Sequence, residues 1–300
     1  MSYKYIDYVV TLISSNIDTR LETKLLQNVQ ESIENFSHMH WLNQNIAADL
    51  FFTNADIPDV ETNLRAALGN APIDIIVQPV QNRRKKLFLA DMDSTMIRQE
   101  CIDELAAFAG LKTEVSEITE RAMRGELEFE PALRKRVSLL KGLNISIVDE
   151  IIANHITLNV GGRELVQTMR ANEAYTCLVS GGFTLFTSKI GAMIGFNEDR
   201  SNLLELEGNI LKGTVREPIL GKEAKLSTLM ELRSKLGLKA YDTLAVGDGA
   251  NDLAMLCEAG LGVAFRAKPA VAAAAHARIE HTDLTALLYA QGYSRESFVT

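Results

Sequence analysis

The sequence is poor in cysteine and in long apolar runs, and these shortages exclude several classes of protein. Its 300 residues contain three cysteines, Cys101, Cys177 and Cys257, which are too few and too scattered for a disulfide framework or a zinc site. No window approaches the roughly 18 consecutive apolar residues that a membrane span requires. The amino terminus shows no small-residue cleavage pattern of a signal peptide. We therefore expect a cytoplasmic protein that does not contact a membrane.

Basic residues are also in the minority. The chain has 31 lysines and arginines against 39 aspartates and glutamates, a formal net charge of −8. Nucleic-acid binding requires a clustered basic face, so no nucleic-acid partner is expected. The one basic run, "RRKK" at 83–86, is predicted to be a solvated linker and not a contact surface.

Glycine is missing from the first part of the chain, where the first glycine is Gly69. Apolar runs and helical spacing there predict strand, helix, strand, strand, helix and strand at 6–13, 22–36, 37–43, 46–53, 60–69 and 73–80. This order is typical of a split βαβ fold. We assign residues 1–82 to an α+β, ferredoxin-like module that resembles ACT-like regulatory domains. Either binding of a regulatory amino acid or a structural role, with pairing into a homodimer, fits this module.

The rest of the chain alternates strands and helices. Short, nearly continuous apolar runs occur at 86–91, 175–180, 242–248 and 260–265. Such runs are typical of strands buried on both faces of a parallel sheet. We therefore predict an α/β, Rossmann-like core, which takes in 83–97 and 165–300. The mostly helical insertion at 98–164 leaves from the C-terminal end of the first strand, where open α/β sheets bind ligands, and is predicted to form a cap over the active site.

Two carboxylates follow the first strand of this core. The stretch "LFLADMDSTMI" at 87–97 places Asp91 and Asp93 one residue apart. Side chains at that spacing leave an extended strand on the same side. Two unneutralised carboxylates held so close repel each other, which indicates a cation between them or a shared proton.

Two simpler interpretations of these acids, a calcium-binding loop and a plain turn, account for the sequence less well. An EF-hand calcium loop has no support, because its fifth, sixth and twelfth positions would be Thr95, Met96 and Ile102, with neither the turn glycine nor the bidentate acid. A plain turn is possible but does not explain two acids at the end of a buried strand. The cation-binding interpretation is therefore favoured.

A second acidic segment ends another apolar strand. "VGDGAND" at 246–252 supplies Asp248, Asn251 and Asp252 beside glycines that allow close backbone approach. Several acids gathered at one sheet edge would make an oxygen-rich site for a hard cation, most simply Mg²⁺.

Two further features are suited to phosphate. "LVSGGF" at 178–183 offers the Ser180 hydroxyl and the N–H groups of two glycines, which can cradle phosphate oxygens. Lys225 lies in the first turn of a predicted helix at 223–236, where a lysine opposes the helix dipole and therefore has another use or is merely solvated.

Taken in order, "DMDST" (91–95), "VSGGF" (179–183), Lys225 and "GDGAND" (247–252) resemble the motifs of the haloacid dehalogenase superfamily of phosphotransferases. "DMDSTMIRQECIDELA" and the cap segment "RAMRGELEFEPALRKRVSLLKGL" are similar to the members that hydrolyse phosphoserine. The resemblance covers about 83–290. It implies a Mg²⁺-dependent phosphomonoester hydrolase that converts O-phospho-L-serine to L-serine and phosphate in serine biosynthesis.

The resemblance also implies catalytic roles. Asp91 would be the nucleophile that forms an aspartyl-phosphate, and Asp93 the general acid and then the general base. Mg²⁺ would be held by the side chains of Asp91 and Asp248 and by the backbone carbonyl of Asp93. Asp252 would hold the waters of the metal or orient Lys225.

Substrate binding is assigned in the same way. The phosphoryl oxygens would contact Ser180, the Gly181 N–H, Lys225 and Asn251. The amino-acid end of the substrate would meet Glu100 at its ammonium, Arg136 at its carboxylate, and an apolar wall of Met123 and Phe129.

Two other functions are compatible with the motifs. A phosphotransferase that passes the phosphoryl group to another alcohol, such as homoserine, needs the same residues. A non-catalytic amino-acid sensor would have no use for a nucleophile–acid pair, so the presence of Asp91 and Asp93 argues against it.

Overall fold

The computed structural model describes residues 7–15, 20–53, 57–123 and 126–300. The strands are β1 (Asp7–Ser14), β2 (Phe36–Asn43), β3 (Ala47–Thr53), β4 (Ile73–Pro79), β5 (Leu87–Ala90), β6 (Tyr175–Phe183), β7 (Glu198–Asn202), β8 (Leu204–Glu207), β9 (Ile210–Val215), β10 (Thr243–Gly247), β11 (Leu261–Phe265) and β12 (Ala277–Ile279). The α-helices are α1 (Thr23–Glu31), α2 (Ile57–Leu68), α3 (Cys101–Phe108), α4 (Lys112–Met123), α5 (Phe129–Leu139), α6 (Ile147–Asn154), α7 (Gly162–Ala171), α8 (Thr184–Ile194), α9 (Lys222–Lys235), α10 (Leu253–Glu258), α11 (Pro269–Ala274) and α12 (Ala286–Ala290). Short 3-10 helices occur at Ala240–Asp242 and Arg295–Ser297. No helix in these ranges is both long and apolar enough to cross a membrane.

The N-terminal strands form an antiparallel sheet in the order β2-β3-β1-β4. This confirms the predicted α+β module. Helix α1 ends five residues earlier than predicted, because Asn35 takes a positive φ of 54° and Phe36 already begins β2.

Both faces of this sheet are buried. One face packs against α1 and α2 through residues such as Leu12, Leu26 and Leu64. The other face contributes Ile13 and Ile76 to the main core, which they share with the C-terminal part of the chain. The module is therefore packed onto the rest of the molecule as a layer of its core.

The second sheet has six strands in the order β12-β11-β10-β5-β6-β7, and all its neighbouring strands are parallel. This confirms the predicted Rossmann-like α/β class. Its apolar strands are covered on both sides, and the four residues of β5 are each buried. The buried side chains of this sheet divide between two apolar clusters.

Helices α3 to α6 form the cap between β5 and α7. The antiparallel hairpin β8–β9 supports it, because the Gly142 N–H donates to the Leu211 carbonyl and the Leu211 N–H donates to the Leu143 carbonyl, both at 2.9 Å. The cap thus has a backbone connection to the core in addition to its two linkers, the first at 94–100 before α3 and the second at 155–161 between α6 and α7. The sequence-based boundaries at 98 and 164 stay a prediction.

The prediction that the basic run at 83–86 is a solvated linker is wrong for Arg83 and Lys85, whereas Arg84 and Lys86 are exposed. Arg83 donates from Nη1 and Nη2 to the buried carboxylate of Asp49 at 2.8 and 2.9 Å. Lys85 is 6% exposed, and its Nζ donates to two backbone carbonyls. The run crosses between the two sheets, so Arg83 and Lys85 reach acceptors such as Asp49 and the Tyr241 carbonyl, which are distant in sequence and which a local charge pattern does not show.

We expect Arg83→Met to destabilise the protein. The change leaves the Asp49 carboxylate buried without its cationic partner, and breaking a buried pair in this way costs about 3–5 kcal/mol. Lys86→Met is the matched control, because the Lys86 side chain is 66% exposed and its nearest acid is 3.9 Å away; a change within about 0.5 kcal/mol is expected. Urea unfolding checks both, and equal losses would contradict the burial argument.

Lys85 should make stability depend on pH in a defined window. Burial lowers the pKa of its ammonium from 10.5 to about 8. Between these values the folded protein has released a proton that the unfolded chain still holds, so stability rises with pH across this window and is unaffected below it. The unfolding free energy of the wild type, less that of Lys85→Met, should grow by about 2 kcal/mol from pH 7.5 to 10. A flat difference would show that this lysine titrates normally.

Candidate active site

Strand register brings the predicted acids to one edge of the parallel sheet. Ala90 at the end of β5 pairs with Val246 of β10 on one side and with Leu178 of β6 on the other. The chain beyond each of these residues therefore emerges at the C-terminal edge, where open α/β sheets bind ligands. This explains why segments separated by up to about 160 residues of sequence meet.

Lys225 is the centre of this edge. Its Nζ lies 2.6 Å from Asp91 Oδ1 and 2.6 Å from Asp252 Oδ1. All three side chains are buried, with relative exposures of 2% for Lys225, 5% for Asp91 and 0% for Asp252. Since lysines are seldom fully buried without a partner, the use of this first-turn lysine is to neutralise two buried carboxylates.

Charge and burial act on these groups in opposite directions. Burial, and then the charge of Asp252, raise the pKa of the Asp91 carboxyl, while Lys225 counteracts them. Burial opposes the charge of Lys225, but Asp91 and Asp252 outweigh it and raise the pKa of the ammonium. One cation thus serves two carboxylates and leaves the cluster short of positive charge.

A third carboxylate completes a group able to hold a metal ion. Oxygens of Asp91, Asp248 and Asp252 all lie within 4.8 Å of one another. Burial, and then the charge of Asp252, raise the pKa of Asp248 as well. Three acids against one lysine leave an excess of negative charge, which a divalent cation with a preference for oxygen ligands would offset. The side chain of Asp93 is not a member of this group; its predicted ligand atom is the backbone carbonyl.

Close packing explains the glycine before Asp248. A Cβ on Gly247 would collide with the side chain of Asp252, and one on Gly249 would collide with the amide oxygen of Asn251. The turn also uses Asp252 as an anchor, since the Gly249 N–H donates to Asp252 Oδ2 at 3.0 Å. Asn251 therefore lies against the turn that presents Asp248.

Asp93 lies beside the first cap linker. It is half-buried, and its Oδ1 accepts a long hydrogen bond of 3.4 Å from the Cys101 N–H. Burial, and then the charge of Glu100, raise the pKa of Asp93 to about 7. A carboxyl with this pKa can both donate and accept a proton near neutral pH.

Glu100 and Arg136 face the same region from the cap. Glu100 accepts a hydrogen bond from Ser94 Oγ at 2.8 Å; burial raises its pKa, although its surface remains open to solvent, which moderates that effect. Arg136 is held by Thr119 Oγ1 at 3.3 Å. Burial lowers the pKa of Arg136, and the nearby charges of Asp103 and Glu100 oppose the shift.

The predicted phosphate cradle and apolar wall also lie at this edge. The Gly182 N–H donates to Ser180 Oγ at 2.9 Å. The Phe129 ring packs over Gly181 and Gly221; an added Cβ would lie 3.3 Å from the ring at Gly181, which is a tight contact, and 3.4 Å from it at Gly221. Phe129 also lines a surface cleft of about 1060 Å³ between α5 and the start of α9. The Met123 side chain lies outside the part of the chain that the structure describes.

Three residues that the sequence did not single out support this site. Asn202 donates to the Gly181 carbonyl at 2.9 Å and to the Leu220 carbonyl at 3.1 Å, and Thr95 Oγ1 donates to Asp248 Oδ1 at 3.2 Å. Asp103 carries a buried oxygen without a hydrogen-bond partner in the described structure and lies close enough to Arg136 for their charges to interact. Thr95 and Asp103 both lie within "DMDSTMIRQECIDELA" at 91–106, the stretch that carries the family resemblance, whereas Asn202 had no signal in the sequence.

A parallel sheet with a helical cap and an acid–lysine cluster at its C-terminal edge is the arrangement expected of the hydrolase class that the sequence motifs indicated. A family model described as haloacid dehalogenase-like hydrolase matches residues 88–256. The chain therefore belongs to the haloacid dehalogenase-like hydrolase family, as its motifs predicted.

Similar proteins cover most of the chain. A probable phosphoserine phosphatase from Schizosaccharomyces pombe is 40% identical over 236 residues, which are 78% of this chain and 79% of that protein. The unliganded structure of a probable phosphoserine phosphatase from Vibrio cholerae is 30% identical to this chain and superposes with a TM-score of 0.75; the match covers 97% of this chain and 88% of that protein chain. A phosphoserine phosphatase structure with an analogue of the phospho-aspartyl intermediate shares 41% identity and a TM-score of 0.63, over 68% of this chain and 98% of its own.

A divalent cation should stabilise the protein through the acid cluster. With Mg²⁺ at about 100 times its dissociation constant, the free energy of unfolding should rise by about 2.7 kcal/mol. Asp248→Asn should lose most of this gain, since it removes one of the three carboxylates. Asp59→Asn, which changes an exposed acid in the first turn of α2, is the control and should keep it. Thermal unfolding with and without Mg²⁺ decides, and an equal gain in both variants would place the cation elsewhere.

Proposed function

We propose that the protein is a Mg²⁺-dependent phosphoserine phosphatase, which hydrolyses O-phospho-L-serine to L-serine and phosphate. The observation that carries the proposal is the placement of two different acids within one site. Asp91 is buried against Lys225 at 2.6 Å, whereas Asp93 lies next to Glu100 with a pKa of about 7. The names of the relatives, which include a probable phosphoserine phosphatase and a phosphoserine phosphatase, each 40% identical to this chain, support the same substrate.

The two acids fit the two halves of a double displacement. Asp91 would attack phosphorus, the bond between phosphorus and the serine oxygen would break, and Asp93 would donate a proton to that oxygen. A water molecule, losing its proton to Asp93, would then attack the phosphorus of the aspartyl-phosphate and release phosphate. Neighbouring carboxylates can divide these roles when their environments separate their pKa values.

The remaining groups would hold the phosphoryl oxygens through both steps. Lys225 is fixed by Asp252 and can shift its contact from Asp91 to a phosphoryl oxygen as charge develops there. Ser180, the Gly181 N–H and Asn251 would complete the set. Asn202 holds the carbonyl of Gly181 and thereby orients the loop that presents these donors.

Mg²⁺ is the proposed cofactor. Its ligands would be the side chains of Asp91 and Asp248 and the backbone carbonyl of Asp93, with Asp252 close behind. When bound, it would offset the repulsion between carboxylate and phosphate and favour the ionised form of Asp91. The raised pKa values of Asp91 and Asp248 fit a cluster that is completed by such an ion.

Substrate choice is assigned to the cap. Arg136 would bind the serine carboxylate with two parallel hydrogen bonds, and Glu100 would bind the ammonium. Met123 and Phe129 are proposed as the apolar wall. The proposed cap at 98–164 would close this pocket over the core at 83–97 and 165–300.

The N-terminal module, 1–82, is proposed to join two copies of the chain in the cytoplasm. The sheet order leaves β2 at an edge, and an edge strand offers backbone groups for pairing with a second copy. Light scattering on the purified chain tests this assembly directly.

The activity is tested with substrates that each lack one recognition group. Phosphate release from O-phospho-L-serine should require Mg²⁺ and vanish in Asp91→Asn. Arg136→Met should lower kcat/KM for phosphoserine about 30- to 160-fold, because it removes charge-assisted hydrogen bonds worth about 2–3 kcal/mol. The same variant should leave turnover of O-phosphoethanolamine, which has no carboxylate, nearly unchanged. Glu100→Gln should likewise lower kcat/KM for phosphoserine, but it should leave turnover of 3-phosphooxypropanoate, which has no ammonium, nearly unchanged.

Lys135→Met, one residue from Arg136 and exposed, is the matched control and should retain wild-type turnover. Metal-dependent turnover without preference for phosphoserine would keep the mechanism and overturn the substrate. Turnover that rises when another alcohol is added as acceptor, with a phosphorylated product, would favour the transferase. Folded, Mg²⁺-binding protein without turnover would favour the sensor.

A further inference from the structure

One carboxylate of the N-terminal module, that of Asp74, accepts several hydrogen bonds from a short segment of the core at 280–282. Asp74 on β4 is 3% exposed. Its Oδ1 accepts the Glu280 N–H at 2.8 Å, and its Oδ2 accepts the Thr282 N–H at 2.9 Å and the Thr282 hydroxyl at 2.6 Å. The His281 N–H lies 3.2 Å from Oδ1. Three successive backbone N–H groups thus converge on Asp74, which fixes the path of the chain just after β12.

The next three residues of this segment lie against the second cap linker. The Leu284 N–H donates to the Val160 carbonyl at 3.1 Å. Gly161 has a φ of +81°, and an added Cβ there would collide with Thr285 and Asp283. A contact this close means that the loop at 280–285 determines where the linker can run.

The second linker is in turn bonded to the first. The Asn159 N–H donates to the Met96 carbonyl at 2.9 Å, and the Arg98 N–H donates to the Thr157 carbonyl at 3.0 Å. The Asn159 side chain also donates to the Thr95 carbonyl at 2.8 Å. Both linkers therefore form one hinge, and Thr95 on that hinge contacts Asp248 of the acid cluster.

We infer that Asp74 is a positioning residue for catalysis, which acts from the N-terminal module through the loop at 280–285 on the hinge of the cap. Asp74 touches neither the acid cluster nor the cap. Its effect would come from holding the loop against Gly161, so that the hinge keeps one arrangement. The module would then support the active site in addition to any pairing of subunits.

Two other polar contacts of the module reach a different part of the core. Gln78 donates to the Ala290 carbonyl at 2.6 Å, and Asn43 donates to Tyr289 Oη at 2.9 Å. These acceptors belong to α12, beyond the segment that touches the hinge. Gln78 lies four residues from Asp74 on β4 and therefore on the same face of the strand. A substitution of Gln78 should weaken the interface between the module and the core while the contacts of Asp74 with 280–282 stay in place, so it is the matched control.

Hydrogen exchange of the full-length protein tests this inference without substrate or metal. In Asp74→Asn, backbone amides at 280–282 and the hinge amides of Arg98 and Asn159 should exchange about 10-fold faster or more, since local opening sets their rate. Thr282→Val, which removes only the hydroxyl donor, should shift the same amides less. Gln78→Leu should leave the hinge amides at the wild-type rate.

Turnover gives a second readout, which rests on the proposed function. Asp74→Asn should lower kcat/KM for O-phospho-L-serine about 2- to 30-fold. Gln78→Leu should keep a kcat/KM near that of the wild type even where its thermal stability is as low as that of Asp74→Asn. Unchanged hinge exchange in Asp74→Asn and Thr282→Val, or an equal increase in Gln78→Leu, would overturn the inference. If Asp74→Asn does not fold, Thr282→Val decides. If the wild type does not hydrolyse phosphoserine, the proposed function is overturned but the inference on Asp74 is not, because hydrogen exchange tests that inference without substrate.

Discussion

The ammonium of Lys225 is the interaction on which the site depends. It stands 2.6 Å from two buried carboxylates that come from different strands, and neither acid could be buried in ionised form without it. Because one cation serves two acids, and Asp248 adds a third, the cluster is arranged around a deficit of positive charge. A bound divalent cation would supply the missing positive charge and would thereby lower the repulsion between these carboxylates and the oxygens of a phosphoryl group.

Recognition and chemistry are separated in space by the fold. The groups proposed for phosphoryl transfer, apart from Lys225 on α9, lie near the C-terminal ends of β5, β6 and β10, whose register is set by continuous backbone pairing. The groups proposed for the amino-acid end lie on the cap and on its first linker. A rigid sheet edge suits charge stabilisation, which depends on fixed geometry, whereas a hinged cap can admit the substrate and then surround it.

The N-terminal module is a structural layer of the molecule. Its sheet is covered on one face by its own helices and on the other by the main core, and buried polar pairs such as Arg83–Asp49 and Asp74 with residues 280–282 join the two parts. Buried pairs of this kind demand one geometry, because any displacement leaves a charge without a partner. The module and the hinge are thereby held in a fixed relation.

The sequence by itself determined the N-terminal α+β module, four strands of the parallel sheet, the helical insertion and the acids at the strand ends, since apolar periodicity and strand-ending motifs are local properties. It did not predict the two edge strands of that sheet, β7 and β12, or the β8–β9 hairpin. It did not reveal that Arg83 and Lys85 meet buried acceptors, that Asn202 orients Gly181 or that Asp103 lies near Arg136. Nor did it show Asp74 beneath the 280–285 loop. These features depend on partners up to about 200 residues away. Whether a charge is solvated or satisfied is decided only when tertiary packing chooses its neighbours, and no local pattern encodes that choice.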